Sequence, residues 1–117
     1  MIYYRMAKQQ LPKLPLKIKV DVFKGESGAL LARLPEYDVF TQAEDLNNLL
    51  LQVNDLIYTY FDVPKKYQSD IQFVPSKEAQ EHLIKVATKE NSKPQNITIQ
   101  SLYAPYLLEK LQRAHLV

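Results

Sequence analysis

Leu34-Pro35-Glu36-Tyr37-Asp38-Val39-Phe40-Thr41-Gln42-Ala43-Glu44-Asp45-Leu46-Asn47-Asn48-Leu49 carries the chain from the end of one strand, through a proline turn, into a short strand and then a helix. Pro35 ends the first strand because proline has no N–H to give a ladder. Val39 and Phe40 suit the next strand, near 38–41. Thr41-Gln42-Ala43-Glu44 has the spacing of a capping box, in which the Thr41 hydroxyl accepts from the Glu44 N–H and the Glu44 carboxylate reaches back. Apolar residues then recur at Leu46, Leu49, Leu50, Val53, Ile57, Tyr60 and Phe61. That spacing predicts a one-sided helix over 42–61, with Pro64 beyond its end. Nothing in the stretch has the character of an active site.

Working back from Leu34, residues 29–34 form the returning strand of a hairpin. Leu16, Ile18, Val20 and Val22 alternate with Lys17, Lys19 and Asp21, the period of a half-buried strand. Gly25-Glu26-Ser27-Gly28 supplies the turn. Leu11-Pro12-Lys13-Leu14-Pro15 keeps the chain extended, because each proline biases its predecessor away from the helix. Residues 1–15 are therefore expected as an N-terminal arm.

Working forward, Ile71, Phe73 and Val74 before Pro75 predict a fourth strand. Ser76 is placed to cap a helix reaching about Lys89, with Ala79, Leu83, Val86 and Ala87 inward. The polar stretch 90–96 reads as a linker. Asn96 to Gln100 alternates briefly, and a last helix begins near Pro105 with Leu107, Leu108, Leu111 and Ala114 on its apolar face. The expected organisation is an arm (1–15), a β-β-β-α-β domain (16–75) and a C-terminal helical appendage (76–117). The fold class is α+β with an antiparallel sheet. Its expected core is Ile18, Val20, Val22, Leu30, Leu46, Leu49, Val53, Ile57, Phe61, Ile71 and Phe73.

Composition narrows the function classes. The 117 residues are 46% hydrophobic and 24% charged, with net charge +2 and no cysteine. That is ordinary globular composition with one modest core, without disulfides or thiolate metal sites. No run approaches the ~18 apolar residues of a membrane helix, and a soluble cytoplasmic protein is the expectation. Lys17, Lys19 and Lys24 lie near one strand and Lys65 and Lys66 at one helix exit, too scattered to mark a nucleic-acid footprint.

No catalytic, cofactor or metal residues are expected. His82 and His115 have no second histidine at helical spacing. Gly25 and Gly28 join strands rather than opening a helix, so they are not a phosphate loop. Glu44, Asp45 and Asp55 suit capping and solvation. Eight tyrosines invite a base-stacking platform, but that needs aromatics beside Lys or Arg on an open sheet face. Leu51, Leu56 and Tyr58 fall off the centre of the helical stripe, as core edge or as partner surface. With Leu107, Leu108 and Leu111 they are the candidate partner or dimer interface, and a homodimer is expected.

The order of two hairpin-linked strands, Leu34-Pro35-Glu36, short strand and helix resembles the HicB-like antitoxins over about residues 16–74. Leu34-Pro35-Glu36 matches that family's proline turn, Thr41 to Leu46 its helix entry and Leu49 to Ile57 its helix. The sequence departs from the family at Glu36-Tyr37-Asp38, in place of a small-residue turn, and at Ala43-Glu44-Asp45. The resemblance implies a partial RNase-H-like domain that covers a small basic HicA-like mRNA-cleaving toxin, with a C-terminal element for operator DNA. Asn96, Thr98 and Gln100 are the candidate DNA contacts, as alternate residues able to face a groove. The alternative is a small structural, assembly or DNA-binding regulatory protein of a mobile element.

Overall fold

A computed structural model describes residues 12–89 and 93–103. Its elements are β1 (Lys17–Lys24), β2 (Leu30–Leu34), β3 (Val39–Ala43), α1 (Leu46–Tyr60), α2 (Lys65–Gln68), β4 (Ile71–Pro75), α3 (Lys77–Thr88) and β5 (Gln95–Tyr103). The five strands form one antiparallel sheet in the order β3-β2-β1-β5-β4. The protein is α+β, and the sheet curls. Helix α1 packs against β3 and β2 on one side and against β4 on the other, while α3 crosses β1 and β5.

The hairpins form where their turn residues stand. In the first, Gly25 N–H donates to the Ala29 carbonyl at 2.8 Å, and Gly28 takes φ 90, a conformation that costs glycine little. In the second, Tyr37 N–H donates to the Leu34 carbonyl at 3.1 Å across the proline turn. Tyr37 then packs against Tyr60 and Phe61, with ring centroids 4.9 and 5.2 Å away. These rings clasp the β2–β3 turn to the end of α1.

The buried core contains Ile18, Val20 and Val22 of β1, Leu30, Ala32 and Leu34 of β2, Ile71 and Phe73 of β4, and Ile97 and Ile99 of β5. Leu49, Val53 and Ile57 face them from α1, and Ala79, Leu83 and Val86 from α3. Of the expected core, Leu46 and Phe61 are only partly buried. Leu14, expected in the arm, is buried in the core.

Three expectations are corrected. Helix α1 starts at Leu46, because β3 pairs with the whole of β2 and Thr41, opposite Ala32, belongs to the ladder. Thr41 and Glu44 therefore form no capping box. Asp45 is the N-cap, its Oδ1 accepting from Asn48 N–H at 2.8 Å. Gln95 and Asn96, expected in a linker, begin a strand. Residues 95–103, expected in an appendage, lie between β1 and β4 in the middle of the sheet. Ser76 caps α3 as expected, accepting from Ala79 N–H at 3.1 Å. The expected helix from Pro105 and most of the arm lie outside the described residues.

Candidate functional site

The acidic candidates do not converge. Asp45 is occupied as a cap, Glu44 and Asp55 are exposed, and His82 is exposed on α3. Among the described residues no three His, Cys, Asp or Glu side chains are grouped to hold a metal. Among the described residues the surface instead offers a sheet face that no helix covers, a groove beside α1 and two unlike sheet edges.

Ladder alternation decides which main-chain groups each edge presents. Ser101 N–H donates to the Leu16 carbonyl at 2.9 Å and Gly25 N–H to the Ala29 carbonyl at 2.8 Å. In an antiparallel strand the N–H and C=O of one residue point to the same side, and successive residues alternate. Carried across the registers, this turns the main chain of Ile71, Phe73 and Pro75 outward on β4, and that of Phe40 and Gln42 outward on β3.

Among the described residues side chains meet every outward group of the β4 edge except the Ile71 N–H. Asn54 Oδ1 accepts from Phe73 N–H at 2.7 Å while Asn54 Nδ2 donates to the Phe73 carbonyl at 3.0 Å. The Tyr58 hydroxyl donates to the Ile71 carbonyl. Pro75 has no N–H to satisfy, and its carbonyl accepts from Gln80 Nε2 at 3.5 Å. Burial, and then the nearby Asp55 carboxylate, hold the Tyr58 hydroxyl's pKa above the ordinary value of 10.0. Desolvation first, then Glu36 and Tyr60, raise that of Tyr37 likewise.

The β3 edge is not sealed in this way. Among the described residues no side chain or strand is hydrogen-bonded to the outward main chain of Phe40 or Gln42. Val39, Thr41 and Ala43 on its inner side are only half-buried, whereas Ile71 and Phe73 are buried.

The outward sheet face carries the candidate DNA contacts. Asn96, Thr98 and Gln100 stand on β5, opposite Asp21, Lys19 and Lys17 of β1. Asn96 Nδ2 donates to Asp21 Oδ1 at 2.8 Å. On the same face Phe40 is 69% exposed and lies opposite Arg33, whose guanidinium pairs with Asp38 at 3.2 Å.

The candidate partner residues separate. Leu51 is 65% exposed and lines a groove of about 610 Å³ between α1 and β4, with Leu50, Gln72 and Val74. The groove continues past Pro75 to Ile84 on α3. Leu56 is half-buried against the core. Tyr58 is buried and lines the same groove, and its hydroxyl is engaged with the β4 edge. Leu107, Leu108 and Leu111 lie outside the described residues.

Asn54 is the residue that sequence reasoning missed. Its signal was present: an asparagine in mid-helix is unfavourable unless its amide has a use, and it sits four residues from both Leu50 and Tyr58. No protein-family model, curated protein or solved structure matches this chain. Among the described residues no helix is long and apolar enough to cross a membrane.

Proposed function

We propose that the chain is a non-enzymatic protein-binding domain, and specifically the HicB-like antitoxin of a pair whose toxin is a HicA-like mRNA interferase. Support for the specific reading is the resemblance over residues 16–74, together with the antiparallel order β1-β2-β3 and the helix across the sheet. The fifth strand between β1 and β4 is an addition to the expected β-β-β-α-β core.

The observation that carries the binding reading is the unlike treatment of the two sheet edges. Beside the sealed β4 edge lies a groove with exposed Leu51 and Ile84, while β3 keeps outward main-chain groups. The test is whether a small basic reading frame lies beside this gene, and co-expression of the chain with it. Relief of growth arrest and a co-purifying complex are expected; neither occurring removes the antitoxin reading.

A second reading, a DNA-binding regulator or assembly protein of a mobile element, is favoured by Asn96, Thr98 and Gln100 sharing a face with Lys17 and Lys19. Salt-dependent retardation of operator DNA that Lys17→Glu/Lys19→Glu abolishes would support it. A homodimer remains part of the proposal, with Leu51 its described contact. Sedimentation of the wild type and Leu51→Asp checks it, the wild type being expected as a dimer.

A further inference from the structure

The geometry points to β3 as a strand-addition site that takes one extended segment, bearing lysine or arginine, of a partner protein. This deepens the protein-binding reading above and rests on it only for the partner being a protein. Phe40 and Gln42 present two N–H and two C=O groups in the spacing of the next ladder, and main-chain pairing of this kind supplies affinity in β-augmentation. Natural edges are guarded by charge, proline or cover. The β4 edge has such a guard in Asn54, Tyr58 and Pro75. Val39-Phe40-Thr41-Gln42-Ala43 contains no charge, proline or glycine.

The charge around β3 selects the occupant. From Leu34 to Pro64 the chain carries Glu36, Asp38, Glu44, Asp45, Asp55 and Asp62, and no lysine or arginine, within a chain of net charge +2. Glu36 and Asp38 stand at one end of β3, Glu44 and Asp45 at the other, all exposed; Arg33 already pairs with Asp38 and Asp45 caps α1, so Glu36 and Glu44 are the carboxylates that a basic strand would meet. A second copy is disfavoured: twofold pairing centred on Thr41 sets Asp38 opposite Glu44 at both ends, and like charges directly opposite destabilise a ladder. A strand with basic residues at its ends meets carboxylates at both.

The test uses the isotopically labelled full chain with two synthetic octapeptides, Lys-Arg-Val-Thr-Val-Thr-Arg-Lys and its analogue with every basic residue replaced by glutamate. The basic peptide is expected to shift the Phe40 and Gln42 amide resonances and slow their hydrogen exchange. Its affinity should fall at least tenfold in Gln42→Pro, which removes an outward N–H, and in Glu36→Lys/Glu44→Lys. Should Gln42→Pro not fold by its amide spectrum, the charge-reversed variant decides. Unperturbed Phe40 and Gln42 amides, equal binding of the glutamate analogue, or edge-to-edge self-pairing would each overturn the proposal. Neutralisation of the neighbouring toxin by Gln42→Pro at wild-type strength would remove strand addition and leave the antitoxin reading standing. Peptide binding at β3 without toxin neutralisation would do the reverse.

Discussion

The side-chain amide of Asn54 meets the main chain of Phe73 as a neighbouring strand would, accepting from its N–H at 2.7 Å and donating to its carbonyl at 3.0 Å. The same Nδ2 reaches the Leu50 carbonyl at 2.9 Å, which holds the amide in that orientation. One helical side chain thus closes the centre of an exposed sheet edge.

Asn54→Ala is expected to lower stability by about 1–3 kcal/mol, because it leaves a part-buried N–H and carbonyl unpaired. Urea unfolding measures the loss, and faster amide exchange at Phe73 locates it. The freed edge should also make the variant associate at high concentration, seen by light scattering. A variant as stable as wild type, with Phe73 still protected, would remove the sealing role.

Tyr58 and Tyr37 predict an alkaline limit to stability. Each folded-state pKa is raised above 10.0, so the folded state holds these protons more tightly than the unfolded chain. Their contribution is complete below pH 10 and is lost as pH climbs through the raised values. Tyr58→Phe should lose about 1 kcal/mol at pH 7 through the unpaired Ile71 carbonyl and then fall less steeply above pH 10. Urea midpoints from pH 7 to 11 test it, and parallel curves for variant and wild type would contradict it.

Asp62 holds φ 55 just after α1. Its N–H donates to the Thr59 carbonyl at 3.3 Å, and Val63 N–H to the Tyr58 carbonyl at 2.9 Å, the paired bonds of a Schellman end with buried Val63 as the apolar contact. Glycine takes that conformation without a Cβ penalty, so Asp62→Gly should gain about 0.5–1 kcal/mol. A rise in Tm confirms the account; a fall would mean that the carboxylate has another use.

Deleting residues 95–117 should unfold the protein. Without β5, β4 loses its only strand neighbour among the described residues and β1 loses one of two, and buried Ile97 and Ile99 go with it. Ile99→Ala alone should cost about 2–5 kcal/mol. A truncated chain with a dispersed amide spectrum would show instead that residues 1–94 fold without β5.

Local pattern made much of this legible. The alternation in β1, the glycine turn, the stripe Leu49-Val53-Ile57 and the Ser76 cap rest on residues within a turn or two of one another, and all appear as expected. Helix entry was expected at Thr41–Glu44 from its capping-box spacing, whereas the structure enters later, at Asp45–Asn48. Pairing between β2 and β3 selected the later one. For Tyr58 core edge and partner surface stayed open in the sequence, because its helical angle says nothing about which strand edge comes to meet it.

By itself, then, the sequence determined the α+β class, both hairpin turns, the apolar faces and the run of carboxylates from Glu36 to Asp62. Periodicity and composition write these locally. Only the tertiary structure placed β5 between β1 and β4, brought Asn96 to Asp21 from 75 positions away and, among the described residues, left one sheet edge sealed and the other open. Those outcomes depend on which distant backbone groups find partners, and short polar alternations such as Asn96 to Gln100 do not encode their neighbours.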